Sequence, residues 1–209
     1  MKYKDKRVLL LIILLIMFQS GMYMVAKITP FEFNLVGNLI DTKIPFIAHF
    51  IYPYISWYLM LVLVPFIFYK SSKLSFNNYY VTTFLCICFV FFIYFFYPTT
   101  MVRADIVSNG ISKYLVNFIY KIDTPILNCF PSMHCIISFI FIYVALLDKD
   151  LKLGSKIFII LWALFVVLST VFIKQHVFVD VVSAFIVSIV MFIIVKRIKY
   201  LNDFDVIKR

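Results

Sequence analysis

His176 and Asp180 stand four residues apart in the stretch STVFIKQHVFVDVV, residues 169 to 182. On a helix that spacing puts both side chains on one face, with Cβ atoms about 5 to 6 Å apart. A carboxylate so placed orients an imidazole. By accepting a hydrogen bond from one ring nitrogen it fixes the tautomer and leaves the lone pair of the other nitrogen free to attack. His134, in PSMH at residues 131 to 134, is a second imidazole, suited to protonate a leaving oxygen. Ser132 offers a hydroxyl donor or an N-cap, and Pro131 is favoured at a helix start, whose free N–H groups attract anions. Arg103, in YPTTMVRAD at residues 97 to 105, and Lys174 add two cations. A nucleophile, an acid, two cations and a helix N-terminus together suit a phosphate ester, whose charged oxygens the cations hold while phosphorus is attacked.

Each residue also has a plainer reading. Ser132 and Pro131 serve any helix start, and Arg103 and Lys174 serve as interfacial anchors, because long basic side chains reach for lipid head groups. His49 has no visible partner and reads as structural. His134, His176 and Asp180 also make a two-histidine, one-carboxylate set of the kind that binds metals. The carboxylate of Asp180 is harder to explain as filler, since an unpaired charge in an apolar span has no cheap structural role.

The elements that must position these groups are apolar. Of the 209 residues, 64% are hydrophobic, 20% aromatic and 14% charged, with four glycines, which is a membrane-protein composition. Six apolar runs fall at about 8–26, 46–69, 79–97, 130–147, 154–173 and 177–195, most of them long enough for the roughly 17 to 25 helical residues that cross a bilayer. The first also resembles a cleavable leader, but it lacks a small-x-small cleavage site and is read as a span. No period-two alternation supports a barrel. The expected fold is therefore all-α, one membrane domain over 1–209 with six transmembrane helices.

With the N-terminus inside, fourteen Lys and Arg residues fall in inner segments and six in outer ones, so the positive-inside rule puts both termini in the cytoplasm. The three chemical stretches then share the outer face, at head-group depth, where a lipid phosphate would sit. The +10 charge belongs to topology, and its scatter over short loops excludes a nucleic-acid partner. The four cysteines read as free thiols, and residues 106 to 119 as a short interfacial helix. A transporter with a His and Asp relay is a further reading, but it calls for polar residues deep in several spans. Here they gather at one interface.

PSMH followed by Ser169, Thr170, His176 and Asp180 in the spacing S(T)xxxxxHxxxD resembles the second and third signatures of the type 2 phosphatidic acid phosphatase superfamily, usually PSxH or SGH and then SRxxxxxHxxxD. The resemblance covers the six-span plan and about residues 97 to 184. It implies that His176 forms a phosphohistidine, Asp180 orients it and His134 protonates the leaving alcohol. Ser132, Arg103, Ser169 and Lys174 would contact phosphate, with no cofactor or metal. The expected enzyme is a lipid phosphate phosphatase of the cell membrane, with its site on the extracytoplasmic side. Two positions depart from the pattern. Aligning the first signature, KxxxxxxRP, on Arg103 puts Phe96 at the Lys and Ala104 at the Pro, and Thr170 stands where the third signature has Arg. This form is similar to the branch that includes inositol phosphorylceramide synthases, in which a second hydroxyl compound takes the place of water. The acceptor is not encoded in these residues.

Overall fold

A computed structural model describes residues 3–103 and 109–198. Ala104, Asp105, residues 106–108 of the expected interfacial helix, and Lys2, Lys199, Lys208 and Arg209 of the charge count lie outside them. The described residues form helices α1 (Tyr3–Ala26), α2 (Leu39–Lys43), α3 (Ile51–Ser71, preceded by a 3-10 turn at Ala48–Phe50), α4 (Lys73–Phe96), α5 (Gly110–Ile122), α6 (Met133–Leu147), α7 (Leu153–Phe172) and α8 (Phe178–Arg197). The only sheet among them is a parallel ladder of β1 (Asn34–Leu35) with β2 (Thr99–Thr100). The fold is all-α. Five helices are long and apolar enough to cross a membrane, which makes this a multi-pass membrane protein.

The sixth apolar helix, α6, has 15 residues, about 22 Å at 1.5 Å per residue, against a hydrocarbon core of about 30 Å. Its start is fixed chemically. Pro131 has no N–H to give, and Ser132 takes an extended conformation as N-cap, its Oγ accepting from Cys135 N at 3.3 Å. At the third run the helix begins six residues before Tyr79, at Lys73, because Ser72 alone separates α3 from α4 in an extended conformation (φ −152°, ψ 134°).

α6 is the centre of the bundle. Ile136, Ile137, Ile140, Phe141 and Val144 are buried on it, and α3, α4, α7 and α8 pack around. Tyr79 of α4 stacks on Phe141 with ring centroids 5.3 Å apart. α1 is more peripheral. Val8, Ile12 and Leu15 form its buried stripe, at helical spacing. Phe185, Ile186, Val190, Ile193 and Ile194 of α8 all remain exposed, an outward apolar surface that suits lipid rather than water. On α5, Leu115 and Ile119 pack inward with Val116, while Ile111, Tyr114, Phe118 and Ile122 face out, as on a helix lying in an interface.

Candidate active site

The polar residues converge at the ends of α1, α4 and α7 and the starts of α6 and α8, and the loops between these helices hold one another in place. Thr99 is the hub of one loop. Its Oγ1 accepts from Cys129 N and Phe130 N, both at 3.0 Å, and its carbonyl accepts from Asn128 N at 2.7 Å. Tyr94 Oη donates to the Pro131 carbonyl at 2.7 Å, and the β1–β2 ladder ties β2 to the segment after α1. The result fixes the segment Asn128–Ser132, from which α6 springs.

A second loop joins α7 to α8. The Thr170 carbonyl accepts from Gln175 N at 2.9 Å and His176 N at 3.0 Å, and Lys174 between them takes a left-handed conformation (φ 54°). The chain thus reverses within five residues and brings His176 to the mouth of α8. Ser132 N donates to the Asp180 carbonyl at 3.3 Å, which joins the starts of α6 and α8.

His176 Nδ1 lies 3.0 Å from the Cys129 carbonyl oxygen and 3.1 Å from Asp180 Oδ2. Both neighbours only accept, so Nδ1 carries the proton and Nε2 keeps its lone pair. Asp180 is fully buried, and its Oδ2 also accepts from Val177 N at 3.0 Å, while Oδ1 has no partner among the described residues. His134 stands with its ring centroid 5.8 Å from that of His176. It is flanked by Tyr54 at 4.7 Å and Trp57 at 4.1 Å. Ring contacts on this scale hold an imidazole in one orientation.

Both histidines line a cavity of about 380 Å³, together with Tyr23, Lys27, Asp123, Asn128 and Gln175 and an apolar wall from α1 and α3. Around it, His134 Nε2, Gln175 Nε2 and both amide atoms of Asn128 are buried without hydrogen-bond partners among the described residues. Buried polar atoms are rarely left unpaired. Several around one cavity mark where the polar atoms of a ligand would complete the set.

The other expected phosphate contacts are placed differently. Arg103 is not in the cavity wall. Its Nη2 donates to Asp123 Oδ2 at 2.6 Å and Gln175 Oε1 at 2.9 Å, its Nη1 donates to the Tyr120 carbonyl at 3.0 Å, and its guanidinium lies 4.2 Å from the Tyr120 ring centroid. It stands behind two residues that do line the cavity. Lys174 Nζ donates to the carbonyls of Asp41 (2.8 Å) and Ile44 (2.6 Å) at the end of α2. Desolvation pushes its ammonium below the ordinary lysine range, opposed by the charge of Asp41. Ser169 is buried with its Oγ donated to the Val166 carbonyl at 2.6 Å, and Ser132 caps α6.

Sequence reading missed Tyr23, Lys27, Asp123, Asn128 and Gln175. Gln175 had a signal, as a polar neighbour of His176 at the end of a span. Tyr23 Oη donates to Asp123 Oδ1 at 3.1 Å and to the Leu127 carbonyl at 3.3 Å, contacts across about a hundred positions that no local pattern reveals. Asn128 supports the same loop with a left-handed backbone (φ 59°). The cysteines are all free thiols. Among the described residues no group of three or more His, Cys, Asp or Glu side chains is placed to hold a metal ion.

No curated protein and no solved structure matches this chain. A family model described as the PAP2 superfamily matches residues 98–203, a span that contains β2, both histidines and Asp180.

Proposed function

Because the chain belongs to the PAP2 superfamily, a family of phosphatases and phosphotransferases acting on phosphate-bearing substrates, we propose that it is a membrane lipid phosphate phosphatase working through a phosphohistidine. The observation that carries this reading is the placement of His176 Nδ1 within 3.1 Å of both the Cys129 carbonyl and Asp180 Oδ2, with His134 beside it in one cavity.

In the first step the Nε2 lone pair of His176 forms a bond to phosphorus as the bond to the leaving oxygen breaks, and His134 donates a proton to that oxygen. The phosphorylated imidazole keeps its Nδ1 proton and becomes cationic, and the buried carboxylate of Asp180 stabilises it. In the second step His134 takes a proton from water, the water oxygen bonds to phosphorus, and the P–N bond breaks to return the electron pair to Nε2. No metal is needed at any point. A hydroxyl compound in place of that water makes the same residues a phosphotransferase. Six spans, including the short α6, would put both termini in the cytoplasm and the cavity on the extracytoplasmic side, at the depth of a lipid phosphate.

The test is phosphate release from a panel of lipid phosphomonoesters and pyrophosphates by the purified protein, with and without a chelator, beside His176→Ala and His134→Ala. Turnover that survives the chelator and falls by about a thousandfold in His176→Ala is the expected result. Wild-type turnover in both variants overturns it.

A further inference from the structure

Three cations stand near the cavity, and two are already occupied. The charge of Arg103 is matched by the Asp123 carboxylate at 2.6 Å. The amine of Lys174 is held by two backbone carbonyls and does not line the cavity. Lys27 is the one lysine or arginine in the cavity wall among the described residues, and its ammonium has no hydrogen-bond acceptor there. It lies 4.6 Å from the centroid of the Tyr23 ring.

The placement is built rather than incidental. Lys27 follows the last residue of α1, and its N–H bonds to the carbonyls of Tyr23 and Met24, each at 3.3 Å, so the chain continues the helical turn and the side chain rests on the residue four before it. The Tyr23 ring is fixed in turn by its hydroxyl bonds to Asp123 and Leu127. A phosphate entering this cavity meets the Asp123 carboxylate, and it needs a positive charge not yet neutralised.

We propose that Lys27 is the cation that binds the phosphate of the substrate, so that the first transmembrane helix supplies the charge that the loop carrying Arg103 does not. This rests on the phosphatase reading, and it is tested apart from turnover. Calorimetric titration of the purified protein with inorganic phosphate compares wild type with Lys27→Met, Lys27→Arg and, as a control on the exposed face of α5, Lys113→Met. Loss of a charge-assisted contact weakens phosphate binding by about 10- to 100-fold in Lys27→Met. The loss is smaller, under about 10-fold, in Lys27→Arg, which keeps the charge but not the geometry, and Lys113→Met stays within about threefold of wild type. In turnover Lys27→Met raises KM by a like factor and leaves kcat within about threefold, since the contact serves ground and transition states alike. Equal phosphate affinity in wild type and Lys27→Met, or no phosphate binding by wild type, overturns the proposal. A wild type that binds phosphate but hydrolyses nothing in the panel overturns the phosphatase reading and leaves Lys27 as a phosphate ligand.

Discussion

Asp180 Oδ2 lies 3.1 Å from His176 Nδ1 and 3.0 Å from Val177 N, so one carboxylate oxygen both orients the imidazole and closes the first turn of α8. The two roles separate by substitution. Asp180→Asn keeps an oxygen for the cap and loses the charge, and kcat is expected to fall by about 10²- to 10⁴-fold with little change in melting temperature. Asp180→Ala loses both, with the same fall in kcat and a further loss of about 1 kcal/mol of stability. Kinetics and thermal melting in one detergent check this, and an asparagine variant with wild-type kcat would refute the orienting role.

Arg103 and Asp123 form a coupled pair at the edge of the cavity. Removing Arg103 alone leaves a carboxylate uncompensated at the proposed phosphate site, so Arg103→Ala is expected to lose more activity than the Arg103→Ala, Asp123→Ala double variant. The coupling should be about 1 kcal/mol, modest because Asp123 keeps 31% of its side-chain surface exposed. Additive effects in a double-mutant cycle would mean that the pair is only a surface contact.

Burial pushes the Cys129 thiol up, and the nearby charges of Asp180 and Asp123 raise it further. A raised thiol has less thiolate at any pH below its midpoint, so alkylation stays slow near neutrality and keeps rising with pH beyond about 8.5, where an unperturbed thiol levels off. Mass spectrometry of N-ethylmaleimide labelling from pH 7 to 10 reads the profile directly, and an early plateau would contradict it.

The proposed orientation places α5 and the loop after α6 on opposite sides of the membrane. A cysteine introduced at Lys113 should react with an impermeant maleimide on intact cells, and one at Lys149 only after permeabilisation. The reverse pattern would invert the topology.

The sequence made the all-α bundle legible because a bilayer forces long apolar runs, and it made His134, His176 and Asp180 conspicuous because polar groups there are costly. Distances across the chain were not legible. Lys174 and His176 are two positions apart, yet the left-handed turn at Lys174 gives one to the carbonyls of α2 and the other to the cavity. Nothing in the first helix says which loop Lys27 will face. The early start of α4 was hidden for a different reason. Its first turns are polar and yet helical, so hydropathy alone could not find them.

Thr99 has a consequence for anyone who would transplant this chemistry. The carbonyl that shares the His176 proton belongs to Cys129, and the loop that presents it hangs from the Thr99 hydroxyl and carbonyl. A histidine and an aspartate grafted at the same spacing onto another helix bundle would arrive without that support, and the imidazole would keep only one of its two acceptors. The portable unit is therefore the motif together with its distant threonine, and Thr99→Ser should carry it intact where Thr99→Val does not.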